Sequence, residues 1–274
     1  MFFWWPKQAF VPEKNNPPLH ETPPRPGLGK PFKLNTKHYV WCFVICYYFS
    51  MPIRPVPIVA GEYYHIYNRG TDKRILFRDD IDYQRFLKLL YLSNSVDRIN
   101  VRNILRKDNE PYAYERGTPL VSIGTYCLMP NHFHILLTPY VENGVSTFMQ
   151  KLGTGYSMYF NKRHNRTGTL FEGPFKAKWA GSDVYLKYLY AYIHLNPLKL
   201  WGRQTVANEP NNQETLAFLK NYNYSSLPDY LQVVRSENKI INPDPFPNYF
   251  KIADDHLGEL KDWLQYKDEI ENSA

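Results

Sequence analysis

The segment Met129-Pro130-Asn131-His132-Phe133-His134-Ile135-Leu136-Leu137 sets two imidazoles one residue apart at the head of an apolar run. Such a run reads as a buried strand. Side chains alternate along a strand, so His132 and His134 leave one face together while Phe133 and Ile135 leave the other. Two imidazoles side by side supply two ligands of an open site for a divalent metal. For so short a motif the plain alternative is a pair of strand histidines satisfied by ordinary hydrogen bonds. A second constellation lies downstream, where the segment from Asp183 reads as a helix capped by Ser182 or Asp183 and closed by Pro197, which disfavours helical geometry at Asn196. Tyr188, Tyr192 and Asn196 then follow at i, i+4 steps on one face. Asn196 would complete the metal's protein ligands beside His132 and His134, and Tyr192, one turn earlier, would be a nucleophile. Taken alone, the tyrosines read first as packing aromatics.

The histidine strand followed by Tyr192-Ile193-His194-Leu195-Asn196-Pro197 on a helix resembles the single-tyrosine HUH transposases, the insertion-sequence single-strand transposase superfamily, and especially their REP-associated tyrosine transposase branch. Tyr64-His65-Ile66-Tyr67-Asn68-Arg69-Gly70 is similar to the family's first strand. The stretch from Arg166 to Lys176 is similar to the one before its catalytic helix. The resemblance spans residues 60 to 200. It implies that His132 and His134 are the metal ligands, Tyr192 the nucleophile and Asn196 the third ligand, with Mg²⁺ or Mn²⁺ as the cofactor. It further implies a transposase that cleaves and rejoins single-stranded DNA at hairpin-bearing sites through a 5′-phosphotyrosine. Insertion-sequence relatives resemble dimers that share sites in trans and the REP-associated branch resembles monomers, so monomer and homodimer both stay open.

The chemistry suits the residues. A phosphodiester repels nucleophiles and has a poor leaving alkoxide, and a divalent metal eases both difficulties. A phenol has a pKa of ~10, so its proton must leave during attack, helped by the metal or a nearby lysine. No glycine-rich phosphate loop is present to suggest a nucleotide cofactor. Two rivals share the same residues: a metal-dependent single-strand nuclease in which water attacks, and a domesticated DNA-hairpin-binding protein without turnover.

These residues need a scaffold. Glu62 to Asn68 reads as a first strand ended by Asn68-Arg69-Gly70. His65 on it reads as a structural or DNA-contacting histidine before a ligand. Asp79, Asp80 and Asp82 open a helix whose Tyr83, Phe86, Leu87, Leu90 and Tyr91 form one apolar stripe. Residues 96 to 117 mix both charges and read as a solvated insertion. Val121 to Leu128 is a second strand, and Met129-Pro130-Asn131 bends the chain back into the histidine strand. A helix follows Asn143 or Ser146, and Leu170 to Trp179 supplies the last strand. This order predicts an α+β fold, a ferredoxin-like antiparallel sheet with helices on one face, the tyrosine helix being an addition that packs near His132 and His134.

Charge points the same way. The 274 residues carry a formal net charge of +7, which favours a polyanionic partner. Between Ser146 and Arg203 nine basic side chains face only Glu172 and Asp183. Asn68, Arg69, Lys151, Arg163, Arg166, Lys176 and Lys178 are the candidate DNA contacts, Lys176 and Lys178 sharing one strand face. Tyr67, Tyr159 and Phe175 are candidate stacking platforms for unpaired bases. The three cysteines, Cys42, Cys46 and Cys127, make no disulfide framework, which fits a cytoplasmic protein. Val40 to Phe49 is too short an apolar run to span a bilayer.

Three regions are expected. Residues 1–50, rich in proline, read as a disordered or non-native extension, with translation starting at Met51. Residues 51–205 hold the catalytic domain. Residues 206–274 form an extension in which Asn221 to Tyr230 resembles a Tyr-x-Trp-Ser-Ser segment of the branch, with Tyr224 in place of tryptophan, before an acidic amphipathic tail from Asp254.

Overall fold

Period-two alternation builds the centre of the molecule. Four strands, β1 (Tyr64–Arg69), β2 (Val121–Met129), β3 (His132–Pro139) and β4 (Lys176–Trp179), form one sheet in the order β2-β3-β1-β4, every neighbouring pair antiparallel. The structure, a computed structural model, describes residues 57–107, 110–201, 212–249, 257–260 and 262. The described elements belong to a compact unit, Arg54–Ala274. Residues 1–50, the proposed start at Met51 and most of the acidic tail lie outside the described residues.

The two sheet faces have different tasks. Ile66 of β1, Ile123, Tyr126 and Leu128 of β2, and Phe133, Ile135 and Leu137 of β3 project to one side. There they meet Phe86, Leu87 and Leu90 of helix α1 (Asp80–Leu92) and Phe148, Leu152 and Tyr156 of a later helix, Gly144–Arg163. Each of these side chains is essentially removed from water, worth about 1.5–3 kcal/mol apiece for the aliphatic and phenyl groups. The result is the expected α+β, ferredoxin-like layer. Between the two helices the chain forms α2 (Val101–Lys107) and a short 3₁₀ turn, Pro111–Ala113, with Tyr112 buried, so the segment expected to be a solvated insertion is partly built into the core. The helix Gly144–Arg163 is α3.

Cys127 and Met129 of β2 and Leu136 of β3 face the opposite side, against Leu186, Leu189, Tyr190 and Ile193 of α4 (Asp183–Leu195). Ser182 caps α4, its hydroxyl accepting from the Tyr185 N–H at 3.2 Å. Pro197 ends the helix but leaves Asn196 helical, at φ −53° and ψ −37°, contrary to the usual bias before proline. The chain therefore keeps its direction into a further turn, α5 (Leu198–Trp201).

One other expectation is corrected. From Leu170 to Phe175 the chain bends, tied to the end of β1 by a Gly70–Phe171 bridge and by the Glu172 N–H donating to Arg69 O at 2.9 Å, and the last strand is confined to Lys176–Trp179. The extension beyond residue 206 is joined to the sheet. After α6 (Asn212–Lys220), Tyr224 to Ser226 pairs with the free edge of β2, the Leu128 N–H donating to Tyr224 O at 2.9 Å and the Ser226 N–H to Tyr126 O at 3.0 Å. An unpaired β2 edge is thereby covered. Ser226, His194 of α4 and Thr125 of β2 form a buried polar knot with contacts of 2.7 and 2.8 Å, which ties the added helix, the sheet and the extension together.

Candidate active site

Antiparallel pairing of β1 with β3 sets Tyr67 opposite His134 and Arg69 opposite His132. His65 lies on the same face, diagonal to His134, and its Nε2 is 2.9 Å from His134 Nδ1. Their rings stack at 5.0 Å between centroids. His132 stands perpendicular to His134 at the same separation. Over this floor α4 lays Tyr192, whose ring is 5.6 Å from His134 and 5.9 Å from His65, edge-on to both. A phenol and two strand imidazoles distant in sequence thus meet in one place.

Burial decides the electrostatics here. It holds His132 and His65 down at about 4, assisted by Lys199 and Arg69 at the first and by Lys178 at the second. His134 is held well below the usual imidazole range by burial, then by its two histidine neighbours and Lys199. All three imidazoles are therefore neutral near pH 7, the form that ligates a metal. Burial raises the Tyr192 phenol, with Asn196 pulling the other way.

His134 Nε2 is buried and has no hydrogen-bond partner among the described residues. His132 Nδ1 is taken by Asn131 Oδ1 at 2.7 Å, which leaves Nε2 as its other ring nitrogen. Among the described residues no group of three or more His, Cys, Asp or Glu gathers to hold a metal. Two neutral imidazoles completed by oxygen donors are a set that fits Mg²⁺ or Mn²⁺. Asn196 is 2% exposed, and both ends of its amide are engaged. Its Nδ2 donates to Tyr192 O at 2.8 Å, and its Oδ1 accepts from Lys199 Nζ at 2.8 Å. The amide oxygen has a second lone pair, so Asn196 can keep Lys199 and still offer a donor to a metal.

Residues 62–196 match the family model for IS200-like transposases. These residues therefore form an IS200-like transposase domain. No curated protein matches it. Among solved structures, that of a REP-associated tyrosine transposase bound to a REP hairpin aligns with 68% of this chain and 90% of its own, at 10% identity and a TM-score of 0.43.

In this IS200-like domain the candidate DNA contacts separate by sheet face. Lys176 and Lys178 pair with Tyr67 and His65 across β1, exposed and on the Tyr192 side. Lys178 Nζ lies 4.6 Å over the Tyr185 ring. Arg69 is on that side too, forked onto Glu172. Tyr67 joins the site, 5.1 Å from His65. The others do not. Lys151 and Arg163 are on α3, across the sheet: Lys151 donates to Ser95 O and Asp97 O at 2.6 and 2.9 Å, and Arg163 binds Asp79 and Asp82. Tyr159 donates to Asp82 at 2.9 Å. Arg166 braces its own loop through Asn161 at 2.7 Å. Asn68 is buried and donates to Gly173 O at 3.1 Å, beside a cleft of about 590 Å³ that Phe175 also lines, between α3 and the 168–175 bend.

Sequence reasoning did not single out Lys199. It stands three residues past Asn196, so a helical reading carried beyond Pro197 puts it on the Tyr192–Asn196 face. Its Nζ is 5.3 Å from the centre of the Tyr192 ring.

Proposed function

We propose that this IS200-like transposase, of the REP-associated branch, cleaves and rejoins single-stranded DNA at hairpin-bearing sites through a 5′-phosphotyrosine on Tyr192. The observation that carries the reading is the Tyr192 ring set edge-on over His134, whose buried Nε2 has no partner among the described residues. His132 and His134 would hold Mg²⁺ or Mn²⁺, with Asn196 as the third protein ligand. The bound metal would supply charge neutralisation and orientation of the scissile phosphate.

The chain's own groups account for the rest. Tyr192 Oη forms a bond to phosphorus as the bond to the departing 3′ oxygen breaks, and the phenolic proton leaves toward solvent or a basic group while the 3′ oxygen takes one up. Burial keeps the phenol protonated until then. Lys199, held on Asn196, brings positive charge to the forming phenolate. Lys176 and Lys178 give the incoming backbone a cationic strand edge. The phosphotyrosine conserves the phosphodiester's energy, so a second 3′-hydroxyl reverses the step and joins a new strand.

The test is incubation of the wild type and Tyr192→Phe with labelled single-stranded hairpin DNA from the gene's own flanks and Mn²⁺, read on a denaturing protein gel. Label is expected to travel with the wild type alone. Cleaved DNA without an adduct in either protein would establish a hydrolytic nuclease instead, and tight binding without cleavage a hairpin binder.

A further inference from the structure

We propose that His65 is a positioning residue for metal binding, fixing His134 in the tautomer that presents a bare Nε2. The proposal rests on the metal-assisted reading above. His65 lies on β1, outside the His132–His134 motif, and reaches it by the 2.9 Å contact between His65 Nε2 and His134 Nδ1. Only one of those nitrogens carries the proton. If it sits on His134 Nδ1, His65 accepts it and His134 Nε2 is left with a free lone pair. If it sits on His65, then neutral His134 must carry its own proton on Nε2, a buried donor with no acceptor among the described residues. Either way Nε2 lacks a protein partner, but an orphaned buried N–H is the rarer case and a bare lone pair is one a cation can meet, so the first arrangement is preferred.

The same logic runs at His132. Asn131 Nδ2 donates to Lys73 O at 3.3 Å, which orients the amide so that Oδ1 faces His132 Nδ1 at 2.7 Å. An amide oxygen only accepts, so His132 carries its proton on Nδ1 and also offers Nε2. Two different neighbours thereby set both imidazoles in the same tautomer. His65 cannot at the same time ligate through Nε2, because that atom is spent on His134. It holds the ring in place by this hydrogen bond and by stacking. Partners that orient a ligating histidine in this way govern metal affinity as well as geometry.

Mn²⁺ binding is to be measured by calorimetry for the wild type, His65→Phe and His65→Gln, with thermal melts to verify folding. Phenylalanine keeps the ring and removes the acceptor; glutamine restores an acceptor oxygen. The expected result is a loss of about 10- to 100-fold in Mn²⁺ affinity for His65→Phe, recovered largely by His65→Gln. Long-range ¹H–¹⁵N spectra of the metal-free wild type should show His134 protonated on Nδ1. Equal Mn²⁺ affinity in wild type and a folded His65→Phe, or a proton on His134 Nε2, overturns the proposal while leaving the metal reading intact. A wild type that binds no Mn²⁺ overturns both. Should His65→Phe not fold, the wild-type spectrum and His65→Gln, expected within a few-fold of the wild-type affinity, decide the matter.

Discussion

Lys199 is where a single side chain has most to say about rate. Its Nζ is bonded to Asn196 Oδ1 at 2.8 Å and lies 5.3 Å from the ring centre of Tyr192, the proposed nucleophile. A charge that is preorganised there stabilises the transition state more than the bound strand. Lys199→Met is therefore expected to slow adduct formation about 10²- to 10³-fold in single-turnover assays, with a much smaller loss of strand affinity. Lys199→Arg should recover part of the rate. Equal losses of affinity and rate in Lys199→Met would mean that the lysine merely holds DNA. The residue escaped notice in the sequence because Pro197 argues for a stop. Asn196 stays helical instead, its side chain bonded back to the Tyr192 carbonyl, and the following turn delivers Lys199 to the same face.

Elements meet through a few ties whose strength can be measured. Arg163 at the end of α3 grips Asp79 and Asp82 at the start of α1. The hydrogen bond from Arg163 is the main cause holding the Asp79 carboxyl down at about 2. At Asp82 burial works to raise the pKa, yet bonds from the Arg78 N–H, Arg163, Tyr159 and His164 keep it below the usual range. A depressed native pKa contributes stability that is fully present above the unfolded value of ~3.9 and is lost as pH falls toward the native one. Acid unfolding followed by circular dichroism should show stability declining from about pH 4 toward pH 2, with the acid midpoint moved to higher pH in Arg163→Met. Gly144 at the first turn of α3 is another tie: a Cβ there would sit 2.1 Å from the Leu120 carbonyl oxygen. Gly144→Ala should cost about 1–3 kcal/mol in urea unfolding, since backbone has to move to admit the methyl group. Neither tie could be read before folding, because Asp79 and Arg163 are brought together only by packing. What could be read were the apolar runs of β2 and β3 on either side of the Met129-Pro130-Asn131 bend, with side chains alternating between the two faces. The pairing of Tyr224–Ser226 with β2 was hidden for the opposite reason, being short, irregular and distant in sequence.

At the scale of the whole molecule, the sheet divides the charge that composition can only total. The net +7 and the basic stretch from Ser146 to Arg203 suggest one cationic groove, yet α3 carries Lys151 and Arg163 to the face away from Tyr192, where both are engaged. Lys176 and Lys178 remain exposed on the Tyr192 face, next to His65 and Tyr67. A strand lying across Tyr192 meets these two lysines and cannot reach Lys151 through the sheet. Each phosphate neutralised on single-stranded DNA adds roughly 0.7 to the slope of log affinity against log salt. Replacing both Lys176 and Lys178 by alanine should therefore flatten that slope by roughly 1.4, whereas Lys151→Ala should leave it unchanged. Fluorescence anisotropy of a labelled hairpin strand from 50 to 200 mM salt, roughly the range over which such slopes are resolved, measures both. A flatter slope for Lys151→Ala in a protein that melts normally would put the strand on the α3 side, beside the 590 Å³ cleft, and would detach binding from the tyrosine that is meant to cut it.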